Sequence, residues 1–227
     1  MDYKKFREIF RGLDRAYGVY YKGETKENGK LSGKAYIKKE PLLEEYYKNH
    51  LEGQDPSLGV VPIMDDSNCF WGCCDIDKYP LDFVAIIKKL KLKKIPMSVC
   101  RSKSGGAHLF LFTKQSVSAT IMRNKLYEIA AYLGYADCEI FPKQTEIKAD
   151  RGDTGNFLNL PYHGGNESMR YAMNDEGKSL TVEEFYKHYD DIVLTPKELK
   201  EISVADESRE LKDGPPCLET LMAEGFP

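Results

Sequence analysis

The sequence predicts a fold of the α+β or α/β class, in which helices pack on a β-sheet. Short apolar segments with strand character are mixed along the chain with amphipathic segments of helical spacing. Polar residues and glycines gather where the strand-like segments end. With 227 residues, the chain is long enough for one large domain or for a domain with an appendage. Together these observations favour a layered sheet with helices packed on it.

The composition is that of an ordinary globular chain, 41% hydrophobic and 30% charged. No apolar run reaches the roughly 18 residues that a membrane-spanning helix needs, and the first residues lack the apolar core of a signal peptide. The six cysteines are scattered, mostly in apolar segments, which indicates reduced thiols in a cytoplasm. Zinc is not expected, because Cys69, Cys73 and Cys74 are followed by no paired Cys/His knuckle.

The N-terminal part alternates helix and strand. Residues 2–17 are predicted to be helical because Phe6, Ile9, Phe10 and Leu13 recur at helical spacing. A polar, glycine-bearing stretch then separates two strands and predicts a hairpin or loop. The predicted elements of this part are strands at 19–21, 35–37 and 58–64 and a helix at 41–51.

The most informative stretch is a buried strand that ends in two acids. Apolar residues lead from 70–74 to Asp75 and Ile76, and Pro80 stops the strand soon after Asp77. Asp75 and Asp77 share a face, because alternate residues of a strand point the same way with Cα atoms about 6.5–7 Å apart. Two converging carboxylates repel unless a cation lies between them, and Mg²⁺ is commonly held by one or two carboxylates and substrate phosphates. Alone, an Asp-x-Asp is also explained by a strand that runs into a polar turn.

The segments after this strand continue the mixture of strands and helices. An amphipathic helix is predicted at 81–92, with apolar residues at Phe83, Ile86, Ile87 and Leu90. The other predicted elements are strands at 97–100, 107–112, 138–141, 156–160 and 171–173, a helix at 120–133, a helix at 181–189 capped by Thr181 and Glu184, and a helix that begins at Pro196.

A third acid follows on a later strand-like segment. Glu139 lies within residues 138–141, and Asp137 shares its face as the alternative. A two-metal site needs about three acidic ligands to hold cations about 3.5–4 Å apart, where they activate the attacking oxygen and stabilise the leaving oxygen in phosphoryl transfer. Asp75, Asp77 and Glu139 are the candidates for this role. Taken alone, Glu139 is equally a strand-edge acid paired with a lysine.

A basic, flexible loop precedes a strand that opens near a histidine. Glycines let backbone N–H groups approach phosphate oxygens, and Lys and Arg side chains add positive charge. The loop and His108 therefore predict a cradle for a triphosphate, although a histidine on the face of Phe110 and Phe112 is otherwise a core residue. The predicted nucleotide-binding residues of this cradle are Arg101, Ser102, Lys103, Ser104, Gly105, Gly106 and His108.

Further polar and basic residues are candidates for contacts with phosphates or template. Lys143, Gln144 and Lys148 follow the third acid, with Arg151 beyond them, although a solvated loop explains Arg151 as well. The net charge of −3 does not indicate nucleic-acid binding, but residues 78–103 contain eight basic residues and one acid. A local basic stripe can track a phosphate backbone. The helical lysines of this stripe, which a solvated helix face also explains, are Lys88, Lys89, Lys91, Lys93 and Lys94.

In this order the motifs resemble those of the archaeo-eukaryotic primase (AEP) superfamily, and more closely the primase-polymerases of phages, plasmids and other mobile elements. The resemblance rests on residues 74–79, 101–109 and 139–144, and residues 10–15 and 155–162 also look like that group. It implies an α+β fold with two parts. The catalytic core would be a mixed sheet like that of an RNA-recognition motif, flanked by helices, and an N-terminal α/β unit would pack on it.

The resemblance also implies domain boundaries. It covers about residues 6–165 and implies a catalytic domain at 1–200. The N-terminal unit would occupy about residues 1–65 and the core about residues 66–195. Residues 201–227 are expected to form a linker toward a C-terminal helical domain.

The implied activity is that of a DNA primase or DNA polymerase in the replication of a phage or mobile element. It is template-dependent nucleotidyl transfer to a 3′-OH, or formation of a first dinucleotide, with two Mg²⁺ or Mn²⁺ ions. The expected partners are single-stranded DNA template and primer, dNTP or NTP, and a fused or associated helicase or C-terminal domain. A monomer in the cytoplasm of a prokaryote or phage-infected host is expected, without a membrane partner. The implied catalytic residues are Asp75, Asp77, Glu139 and His108, the three acids as metal ligands and His108 as a contact to the nucleotide's phosphates.

Two positions depart from the family pattern. A serine often stands two positions before the histidine, where this chain has Gly106, so Ser104 or backbone N–H groups would have to take its place. The third acid is Glu139, where many members have Asp.

Other functions remain open from the residues alone. A metal-dependent nuclease would use the same acids, although Lys143 is four residues beyond the third acid and follows a proline. A sugar-nucleotide glycosyltransferase leaves the Gly-Gly-x-His loop unexplained. A DNA-binding module without catalysis leaves three carboxylates in apolar segments unexplained, since burying such groups without a cation is costly.

Overall fold

Two four-stranded sheets with helices packed on them make up the fold. The computed structural model describes residues 1–25 and 31–204. The strands in that part of the chain are β1 (Tyr17–Thr25), β2 (Leu31–Lys38), β3 (Ser57–Val60), β4 (Asn68–Ile76), β5 (Ser98–Arg101), β6 (Ala107–Ser118), β7 (Glu139–Phe141) and β8 (Leu158–Asn159). The helices are α1 (Tyr3–Ile9), α2 (Glu44–Leu51), α3 (Phe83–Leu92), α4 (Ala119–Leu133), α5 (Val182–Ile192) and α6 (Pro196–Glu201).

Local sequence signals set several helix ends where they were predicted. The capping box of Thr181 and Glu184 is present at the start of α5, where each side chain satisfies a backbone N–H of the other. Helix α4 ends at Gly134, whose φ of +91° lies in the left-handed region that glycine adopts without steric cost. Pro196 begins α6, because the first helical position needs no N–H donor.

Helix α1 is shorter than predicted, since it ends at Ile9 and not near residue 17. The backbone N–H of Leu13 donates to the carbonyl of Val61 at 2.9 Å and so has left the helical hydrogen-bond pattern. Gly12 permits this contact: a Cβ there would lie 2.1 Å from the Val61 oxygen. A long-range backbone contact, which periodicity cannot show, therefore overrides the helical spacing.

The first sheet has the strand order β2-β1-β3-β8, and all of its pairs are antiparallel. It is not built from the N-terminal residues alone, because β8 comes from the chain after β7 and pairs with β3. Gly18 and Gly59 are paired opposite each other on β1 and β3, and a Cβ at either would lie within 2.4 Å of the Phe157 ring. The two glycines therefore leave the space in which Phe157 seats β8 on the sheet.

The second sheet has the strand order β5-β6-β4-β7. Its three strand pairs are all antiparallel, so the expectation of a mixed sheet is wrong. Helix α3 lies between β4 and β5 along the chain, and α4 lies between β6 and β7. This is the β-α-β-β-α-β order of ferredoxin-like folds, and it makes β4 a central strand with neighbours on both sides.

The central strand β4 divides its side chains between two hydrophobic clusters. Trp71 and Cys73 belong to the cluster that includes α1 and the first sheet, whereas Cys74 and Ile76 belong to the cluster that includes α3 and α4. Asp75 follows Cys73 by two residues and therefore lies on the face toward the first sheet. The end of β4 thus presents its acids between the two sheets.

Two expectations concern parts of the chain outside this architecture. The linker expected at 201–227 lies beyond the described residues, apart from 201–204. Within residues 1–25 and 31–204, no helix has both the length and the apolar character needed to cross a bilayer.

Candidate active site

Strand register brings three of the predicted site residues side by side. Asp75 of β4 is directly opposite His108 of β6 on one side and Glu139 of β7 on the other. Directly opposite residues of an antiparallel pair have Cβ atoms about 4.5–5.5 Å apart. The Nε2 atom of His108 lies 3.3 Å from Oδ1 of Asp75, and both side chains are largely buried. The two acids and the histidine therefore form one row across the end of the sheet.

Asp77 lies just beyond the end of β4 and is exposed. The hydroxyl of Tyr79 donates to its Oδ1 atom at 3.0 Å, and the hydroxyl of Ser104 lies 3.5 Å from the same oxygen. The loop 101–106 is therefore folded over the end of the central strand. The four residues predicted as catalytic and the predicted cradle meet at one place.

Glu139 has a lysine partner in this arrangement. The Nζ atom of Lys143 lies 2.7 Å from Oε2 of Glu139, although Pro142 stands between the two residues in the chain. Lys143 also lies 5.1 Å from the centre of the Phe141 ring. The Lys143 side chain is therefore directed at the acid, whereas the sequence predicted that it contacts phosphates or template.

The donor set fits divalent cations in its chemistry. Three carboxylates supply the hard oxygen ligands that Mg²⁺ and Mn²⁺ prefer, and the register holds Asp75 and Glu139 side by side. As oriented, no group of three or more His, Cys, Asp or Glu side chains in the described part of the chain is placed to hold a metal ion. In this orientation the Glu139 carboxylate forms an ion pair with Lys143. Binding of a cation would require Glu139 to exchange the ammonium group for the metal.

The loop before His108 needs its second glycine for close packing. A Cβ on Gly106 would lie 2.2 Å from the carbonyl oxygen of Ile76 and 3.2 Å from Oδ1 of Asp77. The loop is closed by hydrogen bonds from the Ser102 N–H to the Gly106 carbonyl and from the Gly105 N–H to the Ser102 carbonyl. A serine cannot occupy position 106 in this geometry, so Ser104 is the hydroxyl that the loop presents to the acids.

The two cations of the loop point in different directions. The Arg101 guanidinium donates to the Met169 carbonyl at 3.0 Å and ties the loop to the segment after β8. The Nζ atom of Lys103 lies 3.5 Å from the centre of the Tyr20 ring, on the first sheet. The Ser102 hydroxyl is buried and has no hydrogen-bond partner among the described residues. Lys103 is therefore the loop cation that faces the space between the two sheets.

A cleft of about 260 Å³ lies in that space, next to the loop. Arg170 lines this cleft and is only 8% exposed, and burial lowers the pKa of its guanidinium below the usual value. The sequence predictions missed this residue, because it lies 31 positions beyond Glu139 and outside the quoted motifs. The one available signal was an arginine that directly precedes the apolar segment 171–173. The residues that line the cleft include Tyr20, Lys22, Asp55, Ser57, Lys103, Glu167 and Arg170.

The residues predicted downstream of Glu139 are less closely tied to the acids. Gln144 is engaged on both sides of its amide, donating to the Asn156 side chain at 2.6 Å and accepting from the Asn156 N–H at 3.2 Å. Lys148 and Arg151 are exposed at a short 3₁₀ segment, Ala149–Arg151. Gln144 thus holds a loop in place, while Lys148 and Arg151 have side chains in solvent.

Two further sets of predicted residues lie away from the row. Asp137, the alternative third acid, pairs with Lys78 at 2.8 Å, and this hydrogen bond lowers the pKa of the Asp137 carboxyl. Helix α3 packs through Ile86 and Leu90 against the face of the second sheet opposite to Asp75. The stripe Lys88–Lys94 is therefore on the far side of the sheet from the acids.

Comparison with protein families gives a match over most of the chain. Residues 15–209 match the archaeo-eukaryotic primase domain of TOTE conflict systems. The class of protein that the fold and the row of acids define is therefore that of AEP domains. Within it, the chain belongs to the AEP family of TOTE conflict systems. Membership in the AEP superfamily was predicted from the motifs and is confirmed.

Among solved structures, the chain is similar to the AEP domain (PP-N190) of the primase-polymerase of cyanophage S-2L. The sequence identity is 10% and the TM-score 0.48, and the match covers 87% of this chain and 94% of that chain. The catalytic domain of primase RepB′, in complex with initiator DNA, gives 10% identity and a TM-score of 0.40 over 88% of this chain and 95% of that chain. Another structure of primase RepB′ gives 9% identity and a TM-score of 0.41, and the match covers 88% of this chain and 63% of that chain. No curated protein matches the chain.

Proposed function

We propose that this domain is a template-dependent nucleotidyltransferase, a DNA primase-polymerase that extends a 3′-OH or forms a first dinucleotide. Single-stranded DNA would be its template, and dNTP or NTP its substrate. The observation that carries the proposal is the row of Asp75, His108 and Glu139 beside a cation-bearing glycine loop. Membership in the AEP family supports it.

In this proposal, one group of residues binds the catalytic metals and another group contacts the nucleotide's phosphates. Asp75, Asp77 and Glu139 are the proposed metal ligands, and bound Mg²⁺ or Mn²⁺ would activate the attacking hydroxyl and stabilise the leaving oxygen. His108 lies against Asp75, so a ring N–H there can donate to a phosphate oxygen next to the acids. Lys103 contributes positive charge on the side of the cleft.

The loop backbone positions these groups. Gly106 packs on the Ile76 carbonyl, which brings the loop to the end of the strand that carries the acids. Ser104 is then within 3.5 Å of Asp77 and is placed to contact a phosphate bound between them. The arrangement is preorganised, because the strand and the loop hold the polar groups before substrate arrives.

The family to which the chain belongs is that of conflict systems, and this suggests the biological setting. We propose nucleotide addition within such a system. The expected role in replication of a phage or mobile element remains a prediction that neither the fold nor the family tests.

The direct test is nucleotide incorporation by the 227-residue chain. Single-stranded template is incubated with labelled dNTP or NTP and Mg²⁺ or Mn²⁺, with and without an annealed primer. We expect products whose length and sequence depend on the template, and none when the divalent cation is chelated. Absence of template-dependent products under every combination of metal, nucleotide and primer would contradict the proposal.

One observation favours a second candidate, a metal-dependent nuclease. Such enzymes use a lysine near the acidic cluster to activate water, and Lys143 contacts Glu139 at 2.7 Å although the sequence spacing argued against this. Degradation of DNA without added nucleotide is the behaviour that distinguishes a nuclease from a polymerase.

Replacing Lys143 separates the two functions. In a polymerase, Lys143 competes with the cation for Glu139, so Lys143→Gln should retain synthesis and lower the Mg²⁺ concentration for half-maximal rate by up to about fivefold, because an exposed ion pair is worth about 0.2–1 kcal/mol. Lys197→Gln, which removes another Lys–Glu pair four residues apart on α6, is the matched control and should change nothing. Nucleotide-independent cleavage that disappears in Lys143→Gln would instead establish the nuclease.

A further inference from the structure

An apolar groove of about 310 Å³ is lined by residues of α3 and α5 at the β5 edge of the second sheet. None of its lining residues belongs to the row of acids and histidine or to the loop 101–106. Its volume is within the range of about 300–1,000 Å³ that binding pockets occupy, and methionine side chains adapt well to the shape of a partner. The apolar part of the lining includes Ile87, Leu90, Met97, Val99, Met173 and Ile192.

The rim of this groove carries positive charge and one unsatisfied polar atom. Residues 83–97 contain five lysines and no acid. Lys91 is paired with Asp175 at 2.7 Å, whereas Lys94 is exposed and forms no ion pair within the described part of the chain. The Nε2 atom of His188 is buried in the lining without a hydrogen-bond partner among the described residues, and such an atom costs free energy. A partner for the groove should therefore bring apolar side chains, acidic groups and a polar atom.

Residues 205–227, which lie outside the described part of the chain, have a composition that matches these requirements. They contain six acids and two basic residues, which gives a net charge of −4. Leu218, Leu221 and Met222 recur at the spacing that aligns side chains on one face of a helix, and an acid lies within three residues of each of them. The segment thus combines apolar side chains with the charge that complements the lysines of the rim.

The chain leaves the described fold on the face of the second sheet that α3 covers. Ile202 and Val204 pack against the hydrophobic cluster that includes Leu90 and Val99, and these two residues also line the groove. Fourteen residue steps lead from Val204 to Leu218 and span up to about 45 Å when extended. This is about three times the length of the ten-residue helix α3. The segment is therefore long enough to reach the groove of its own chain.

We propose that the segment 205–227 binds in the groove of the same chain, with the apolar side chains of residues 218–222 inserted and its acids against Lys94. A polar group of the bound segment would then partner the Nε2 atom of His188. Because the groove contains no residue of the loop 101–106, the bound segment leaves the row of acids open. The groove fixes the course of the chain beyond residue 204, whichever reaction the domain catalyses.

Zero-length cross-linking of the dilute 227-residue chain tests this contact. A carbodiimide joins a carboxylate to an amine only where the two groups meet, and mass spectrometry of the peptides locates the link. In an equal mixture of isotopically light and heavy chains, we expect links from Glu219 or Glu224 to Lys91 or Lys94, between peptides with the same isotope label. Links between light and heavy peptides would overturn the proposal, because a second copy would then occupy the groove. Absence of these links, or links to lysines all over the domain without preference, would overturn it as well.

Leu221→Ser tests the apolar part of the contact without removing any group that reacts with the carbodiimide. Burial of a leucine side chain changes a binding equilibrium by about ten- to a hundredfold, so the yield of the links should fall severalfold. Ile192→Gln, which changes the wall of the groove, should have the same effect. Leu211→Ser, in the same segment, is the matched control and should keep the wild-type yield.

The segment variants keep the test independent of folding. Leu211 and Leu221 lie outside the described residues, so their replacement leaves every described core contact in place. A wild-type yield in Leu221→Ser would show that charge alone brings the segment to the lysines, and it would overturn insertion into the groove. A wild-type yield in folded Ile192→Gln would place the contact elsewhere and would overturn the proposal too.

Discussion

Asp77→Asn should abolish nucleotide addition and leave the fold intact. A catalytic cation is worth several kcal/mol of transition-state stabilisation, and each 1.36 kcal/mol is a factor of ten in rate. Loss of one carboxylate ligand should therefore lower the rate by at least about a hundredfold. The fold should tolerate the change, because Asp77 is exposed beyond the end of β4 and its partners are two hydroxyls, those of Tyr79 and Ser104.

The matched control for Asp77 is Asp137→Asn. Asp137 is an acid just before β7, but it pairs with Lys78 and lies outside the row of Asp75, His108 and Glu139. We expect this variant to synthesise at close to the wild-type rate. The measurement is primer extension at saturating nucleotide, with circular dichroism to verify folding. If folded Asp77→Asn extends primers as fast as wild type, the assignment of Asp77 as a metal ligand is wrong.

His50 should make the stability of the protein depend on pH in the acid range. It is fully buried; its Nδ1 atom accepts from the Leu58 N–H at 2.9 Å, and its Nε2 atom donates to the Pro161 carbonyl at 2.8 Å. This pattern requires the neutral ring, and burial lowers the pKa of His50 to about 3. In the unfolded chain the pKa is about 6.5. Protonation therefore favours the unfolded state as soon as the pH falls below that value.

The size of this effect follows from the difference between the two pKa values. The contribution of His50 is complete above about pH 6.5 and falls by about 1.4 kcal/mol per pH unit below it. At pH 5 the loss should be about 2 kcal/mol. Urea unfolding of wild type and His50→Gln at pH 7, 6 and 5 isolates the effect, because glutamine does not titrate. The pH slope of the wild type should be steeper by about 1.4 kcal/mol per unit; equal slopes would show that His50 is not held neutral.

The parts of the site that could be predicted are those that depend on local pattern. Alternation along β4 predicted that Asp75 and Asp77 share a face, and the glycine loop predicted that His108 belongs to the same site. Both signals lie within a few residues of the side chains that they concern, and the structure has Asp75 opposite His108. Glu139 was found in the same way, as an acid in a short strand-like segment. The strand register then brings these residues together, because β4 pairs with both β6 and β7 and Asp75 lies opposite His108 and Glu139.

The parts that could not be predicted depend on contacts between distant segments. Arg170 reaches the cleft only because its segment crosses back to the first sheet, where Ser57 contacts it. Lys143 meets Glu139 because the chain turns sharply between them, which residue spacing does not reveal. The lysines of α3 were candidates for template contacts, with a solvated helix face as the alternative, and residue spacing could not show which face of the sheet this helix covers.

The return of β8 to the first sheet has a consequence for inheritance. A division of the gene near residue 66 would separate β3 from β8, because Leu158 and Asn159 complete the first sheet from the distal half of the chain. Neither half therefore contains all of the residues that line the cleft. Exchange of one half between relatives would pair a β3 with a foreign β8 and a foreign Phe157. We expect recombination within the family to spare this junction, so that the whole domain is transferred as a single unit.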